Sequence, residues 1–292
     1  TLSGGAPRSW GQADLVDDTF LMGSAYSDST VNFSNDLNFI TLSRVFEVKA
    51  GVNSNIDGRL SGVLSSTGGG LVKTGAGKLE LTGSNTYSGD TWVQGGSLLV
   101  NNTSGSGTGT GNVRLAASTT LGGHGSISGT VGGAGTIAPG NSPGILTVGS
   151  VNASEGISFL FEMTALNPTY GNPAASGNDV LRITSATPFT TALTSSNVIT
   201  VDFSSMSVNL GDIIYGGIFA TTDFSASIED AQFVYTGLNG LDAQVSVVQQ
   251  SADFGAGLES GYITRSEIIP EPASAALLGL GLSGLLIRRR RD

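Results

Sequence analysis

The chain has 292 residues, with 44 glycines, 12% charged residues, 13 Lys and Arg against 23 Asp and Glu, and no cysteine. Without cysteine there is no disulfide framework, thiolate nucleophile or cysteine metal site, and a net charge of −10 argues against nucleic acid as a partner. This much glycine with so little charge suits many short strands joined by tight turns, in one or two domains with a sizeable core.

In chain order, Thr1 stands where an initiator methionine would, and residues 1–30 hold no basic stretch followed by an apolar one. The chain reads as a mature form or a fragment, with any signal peptide expected upstream. Residues 1–67 are expected to form short strands. Thr30-Val31-Asn32-Phe33, Phe39-Ile40-Thr41-Leu42 and Val45-Phe46-Glu47-Val48 alternate near a period of two. Gly51, Asn53, Asn55 and Gly58 punctuate them.

Residues 68–150 are the most regular. Leu71 to Thr74 and Lys78 to Leu81 flank a Gly75-Ala76-Gly77 turn, and Thr91 to Val100 repeats the arrangement around Gly95-Gly96. Strand, glycine corner, strand, glycine corner is what a coiled parallel sheet requires, because glycine permits positive φ at a sharp corner. The alternation predicts that Leu71, Leu79, Leu81, Val93, Leu98 and Val100 face the interior. Val113, Leu115, Leu121, Ile127, Val131, Ile137, Ile145, Leu146 and Val148 continue the theme between glycines. Lys73-Thr74-Gly75-Ala76-Gly77 and Asn85-Thr86-Tyr87-Ser88-Gly89 resemble the autotransporter-associated β-strand repeat. That resemblance implies a right-handed parallel β-helix, with Gly140-Asn141-Ser142-Pro143-Gly144 similar to the corner that closes such arrays. Trp92 departs from the family's usual Thr; it either faces outward or thickens one coil.

Residues 151–266 are richer in aromatic and β-branched residues. Ile157 to Met163, Val198 to Phe203, Met206 to Leu210, Ile213 to Phe219, Phe233 to Tyr235 and Gln244 to Val248 read as strands. They either continue the coil with longer turns or fold over its end as a cap, covering an edge that would otherwise invite aggregation.

Residues 267–292 carry three parts in order: Pro270-Glu271-Pro272, an uncharged run from Ala273 to Ile287, and Arg288, Arg289, Arg290 and Arg291 before Asp292. The prolines read as a helix start. Fifteen helical residues rise ~22 Å, short of a ~30 Å hydrocarbon core, so Ile268, Ile269 and the arginine stems are expected to lengthen the span. The arginines are a membrane stop that holds the preceding chain on the far side. This arrangement resembles the PEP-CTERM sorting signal. The resemblance implies a single transmembrane helix, transient anchoring in the bacterial inner membrane, processing near Pro270-Glu271-Pro272 by an exosortase, and transfer to the cell surface or extracellular matrix. Without residues 270–292 the chain carries 9 basic and 21 acidic residues, a net −12.

Other chemistry-bearing residues have bland readings. Gly279-Leu280-Gly281-Leu282-Ser283-Gly284 fits a dinucleotide fingerprint but follows no strand. Gly177-Asn178-Asp179-Val180-Leu181 resembles half of a calcium-binding nonapeptide, yet one copy builds no stacked site, so a turn into a strand is expected. His124 is the sole histidine and sits in a glycine corner, where a solvated turn is expected. Asp17-Asp18 and Glu229-Asp230 are adjacent pairs; neighbours on a strand point to opposite faces, so neither pair alone makes an acid–base couple.

The expectation is an all-β parallel solenoid with a β-rich C-terminal part or cap and a single C-terminal transmembrane helix. The domains are 1–67, 68–150, 151–266 and 267–292. Its expected role is that of an exported, non-enzymatic structural or adhesive protein without catalytic, cofactor or metal residues, its partners an exosortase, the membrane and extracellular polysaccharide. A β-helical lyase or hydrolase is one alternative. It would need charged residues projecting from adjacent coils, and residues 101–150 hold one Arg and no Asp or Glu. An autotransporter-like adhesin passenger is another, though that class ends in a membrane β-barrel.

Overall fold

The computed structural model describes residues 8–9, 19–52, 55–140, 143–166, 177–253 and 258–271. Each short strand buries alternate side chains on one face and cannot satisfy its own backbone, so stability requires stacking successive turns of the chain. The strands alternate between two long sheets as the chain advances: Leu71–Thr74 lies in the first, Lys78–Leu81 in the second, Thr91–Val93 in the first and Ser97–Val100 in the second. The first sheet has twelve strands and the second nine, and a third, short sheet joins Arg8–Ser9, Leu37–Asn38 and Leu64–Ser65. This is a parallel β-helix.

Register turns the sequence alternation into interior columns. In the nine-stranded sheet Leu79, Leu98, Leu121, Ile137, Phe159, Ile199 and Phe233 lie opposite one another on successive strands. All six interior residues predicted from residues 71–100 are fully buried. Coils in the middle of the chain advance about twenty residues, as where Leu71 pairs with Thr91. Further on they lengthen, Leu146 pairing with Leu181 and Phe159 with Ile199. Parallel coils continue to Gln232–Thr236, and then Leu241–Asp253 and Leu258–Pro270 form an antiparallel hairpin that docks on Ile213–Ala220. One sheet therefore runs across the divisions drawn at 150 and 266, which fall within Ile145–Asn152 and Leu258–Pro270.

Polar groups at the corners are paired from one coil to the next. Gly75 takes φ +76°, and a Cβ there would lie 2.3 Å from the Val48 carbonyl oxygen, so the corner admits only glycine. Beside it the Lys73 side chain is fully buried, and its Nζ donates to the carbonyls of Thr74 (2.9 Å), Gly75 (2.8 Å) and Gly95 (2.8 Å). Burial lowers its pKa to about 8, partly offset by the Asp57 carboxylate. Asn85 spans three coils: its Oδ1 accepts from Leu64 N at 2.8 Å and its Nδ2 donates to the Gly107 carbonyl at 2.6 Å. These bonds give the Lys73-Thr74-Gly75 and Asn85-Thr86-Tyr87 signatures their structural meaning.

Several sequence expectations are corrected. Phe39 to Leu42 is a turn rather than a strand, because Ile40 adopts φ 64° and its N–H is taken by Asn38 Oδ1 at 2.8 Å; the preceding Leu37–Asn38 carries the pairing. Met206 to Leu210 is irregular, with Asp212 Oδ2 accepting from Asn209 N at 2.7 Å in a local turn. Pro270 does not begin a helix but ends the Leu258–Pro270 strand, and Ile268 and Ile269 belong to that strand rather than to a membrane span. Among the described residues no helix is long and apolar enough to cross a membrane. The expected span from Ala273 to Ile287 lies outside them.

Replacing Lys73 with Met keeps the stem and removes the ammonium, leaving three part-buried carbonyls without that donor. Urea unfolding is expected to show a loss of about 1–3 kcal/mol. Lys78→Met, at an exposed position, should stay within about 0.5 kcal/mol of the parent.

Candidate functional site

Two surface features are built by this fold. The first is the junction with the C-terminal signal. Pro270 and Glu271 are exposed at the end of the terminal hairpin, with Pro270 opposite Leu241. Pro272 and Arg288 to Arg291 lie outside the described residues. Ile268, two residues before Pro270, is 1% exposed and belongs to the main core. Its N–H donates to the Asp212 carbonyl at 3.0 Å, and its carbonyl accepts from Gly211 N at 2.9 Å.

The second is a groove of about 570 Å³ across the outer face of the nine-stranded sheet. Interior columns have outward counterparts at the alternate positions. Leu99 lies opposite Gly122 and Gly122 opposite Ala138, and these small residues hollow the sheet face while Leu99 and Leu160 give it an apolar floor. Ser97 and Thr120, which are register partners, add hydroxyls along one side. Asn55, Ile56 and Lys78 bound one end, and Glu162 and Asp179 the other. From Lys78 to Glu162 the groove crosses five strands, or ~19 Å at the usual strand spacing.

Asp179 is the electrostatically unusual member. It is 2% exposed, and burial pushes its pKa up to about 7 against backbone donors that favour the carboxylate; the nearby Glu162 charge pushes the same way as burial. Its Oδ1 accepts from Gly144 N at 2.7 Å and its Oδ2 from Glu162 N at 2.8 Å. Asn178 is occupied in the same way. Its Oδ1 accepts from Thr164 N and Ala165 N, and its Nδ2 donates to the carbonyls of Ala165 and Tyr215. Gly177-Asn178-Asp179 is therefore a turn into the Val180–Ile183 strand, as expected, and its polar atoms latch neighbouring coils rather than reach outward.

The remaining candidates are not brought together. His124 is exposed, its backbone N–H held by Asn101 Oδ1 at 3.0 Å. Glu229 and Asp230 are exposed in a turn, while Asp17 and Asp18 lie outside the described residues, as does the segment from Gly279 to Gly284. Trp92 faces outward at 43% exposed, with Arg114 5.8 Å from its ring and bonded to Glu155 at 2.9 Å. The groove residues went unnoticed in sequence because coil length varies. Leu99, Gly122, Ala138 and Leu160 recur at no fixed interval, and alternation marks which face a residue occupies but not which residues align.

Two stretches of the chain are similar to known families. Residues 71–100 match the passenger-associated transport repeat, and residues 269–291 match the PEP-CTERM protein-sorting motif. Two proteins of Serratia marcescens, each described as an extracellular serine protease, are similar over short stretches. One is 46% identical over 81 residues, 27% of this chain and 7% of that protein; the other is 67% identical over 33 residues, 11% and 3%. The chain thus spans less than a tenth of the length of these relatives. It carries a C-terminal sorting motif and a passenger-type repeat.

The raised pKa of Asp179 sets a sign. Between its ordinary value of 3.8 and about 7 the folded chain holds a proton that the unfolded chain has released. Its contribution to stability is therefore present at low pH and falls as pH rises through that window. Asp179→Asn cannot titrate and turns an amide donor towards one of the two N–H groups. Its urea midpoint is expected to be lower throughout and to change less between pH 4 and pH 7 than that of the parent.

Proposed function

We propose that this protein is an exported, non-enzymatic surface or matrix protein, a right-handed β-helical rod sorted through its C-terminus by an exosortase and retained with extracellular polysaccharide. The observation that carries the reading is the sorting motif at residues 269–291, which begins within the last two residues of the hairpin that ends the coil. In this reading the tail from Ala273 to Arg291 spans the inner membrane transiently and is then removed. The expected right-handed coil accords with the strong preference of parallel crossover connections.

The groove supports a polysaccharide partner. Its apolar floor and flanking hydroxyls suit sugar rings, which present C–H faces and hydroxyl edges. Nucleic acid would meet the excess of acidic residues. A lyase or hydrolase is the weaker reading: Asp179 has a pKa suited to proton transfer, yet both of its oxygens are engaged by backbone N–H groups. A passenger-like adhesin is the second reading, supported by the repeat at residues 71–100 and the similarity to the Serratia proteins. The protease activity in their description is not carried over, because the shared stretches are so small a part of them.

Intact-mass analysis of protein from the envelope and medium of an exosortase-bearing host tests the sorting reading. Loss of Arg288 to Arg291 is expected, and retention of the tail on essentially all molecules would leave an ordinary tail anchor. Ala138→Phe, which fills the groove from its outer face, is expected to weaken retention on the host's extracellular polysaccharide by about tenfold, or about 1.4 kcal/mol, with unchanged thermal midpoint. Undiminished retention would exclude the groove as the contact.

A further inference from the structure

The sorting motif and the cap share residues, and this has a consequence for processing. Leu258–Pro270 is not an edge strand. It pairs with Leu241–Asp253 along thirteen positions on one side and with Ile213–Ala220 on the other, where Ile213 lies opposite Glu267. Beyond Glu267 the bonds between Ile268 and the backbone of Gly211 and Asp212 continue that second contact. Arg182 Nε ties the far end of the strand down through Glu259 at 3.0 Å. Proteases commonly take substrate as an extended strand laid against their own backbone, which requires a free edge. From Tyr262 to Ile268 no such edge exists. Freeing it would expose a side chain of the main core and break backbone bonds on both sides. Pro270 has no N–H to donate to a ladder, and both it and Glu271 are exposed.

We propose that the sorting protease acts on the folded cap. It reads Pro270 and Glu271 as the exposed end of a finished sheet, the strand stays paired through Ile269, and the cleaved bond lies on the C-terminal side of Glu271. In that step the amide C–N bond breaks, the acyl carbon stays with the cap and the amine leaves on the tail. Water, or a nucleophilic hydroxyl or amine of an acceptor, adds to the carbonyl carbon. The inference rests on the sorting reading above and adds that a folded hairpin is the substrate. Cleavage then removes no residue that the cap needs, so the released and anchored forms have the same fold.

The test uses the full chain in membranes containing an exosortase. In Asp242→Cys/Ile269→Cys, a pair of register partners, oxidation locks the strand end to its neighbour and reduction releases it. The proposal expects oxidised and reduced forms to be processed at rates within twofold, and the mature C-terminus to retain Pro270 and Glu271. Processing at least tenfold slower when locked, or a mature chain ending before Glu271, would overturn it. If the disulfide does not form, the mature C-terminus of the unaltered protein still decides, since an end before Glu271 contradicts the proposal and an end at or after it supports it. An unaltered protein that is never cut sinks the sorting reading itself; a cut parent with an uncut locked variant sinks only this inference.

Discussion

Backbone groups at the corners of the coil constrain everything else in this fold. A parallel strand hands its chain to the next sheet through a sharp bend, and polar groups at the bend are partly covered by neighbouring coils. Unpaired, each such group carries a desolvation cost of about 1–3 kcal/mol. The chain meets this with few charged residues, by placing long or amide side chains where they reach several carbonyls or N–H groups at once. Lys73 takes three carbonyls, Asn85 joins three coils, and Asn178 serves Thr164, Ala165 and Tyr215. Glu80 is tied to both Arg59 and Asn101 in the same manner. These side chains set the coil-to-coil register, and the register aligns the apolar columns.

The legible part of the fold follows from that arrangement. Where coils are short and near twenty residues, glycine corners and period-two alternation recur often enough to place Leu71 through Val100 correctly inside. Phe39 to Leu42 failed because alternation alone cannot distinguish a strand from a turn whose middle residue takes positive φ, as Ile40 does. Met206 to Leu210 failed for a related reason: its apolar residues alternate, but a local Asn209–Asp212 turn holds the backbone. Leu258 to Pro270 was obscured by its polar content and by the prolines that follow, which look the same at a strand's end as at a helix's start. The sorting signal itself was readable throughout, since it is linear and its parts need only their order. The groove was not, because it is made by residues from five strands whose spacing in sequence is irregular.

Two ends of a solenoid must be closed, since an open sheet end offers unpaired backbone to any passing strand. At the C-terminal end a hairpin is added to the twelve-stranded sheet, and its return strand reverses direction. Only Leu258–Pro270 runs antiparallel to the coils; the outermost strand, Leu241–Asp253, is antiparallel to it in turn, and pairs only with Leu258–Pro270 among the described strands. Reversal also fixes where the chain leaves. The cap's return strand ends beside Leu241, at the close of the coil, and delivers Glu271 to the surface there.

The match to the sorting motif begins at residue 269, inside the last strand of the hairpin, so no residues separate the two. Repeats of this kind are stabilised by nearest neighbours, so coils far from the cap are little affected by what happens at the junction. The cap differs: its hairpin is long, its Ala243 and Ile268 join the main core, and the signal begins one residue after Ile268. A flexible linker between them would have separated the folding of the cap from the sorting of the chain. Its absence makes the two depend on the same few residues, and a chain whose last hairpin has not formed presents Pro270 and Glu271 in a different setting from one whose hairpin has.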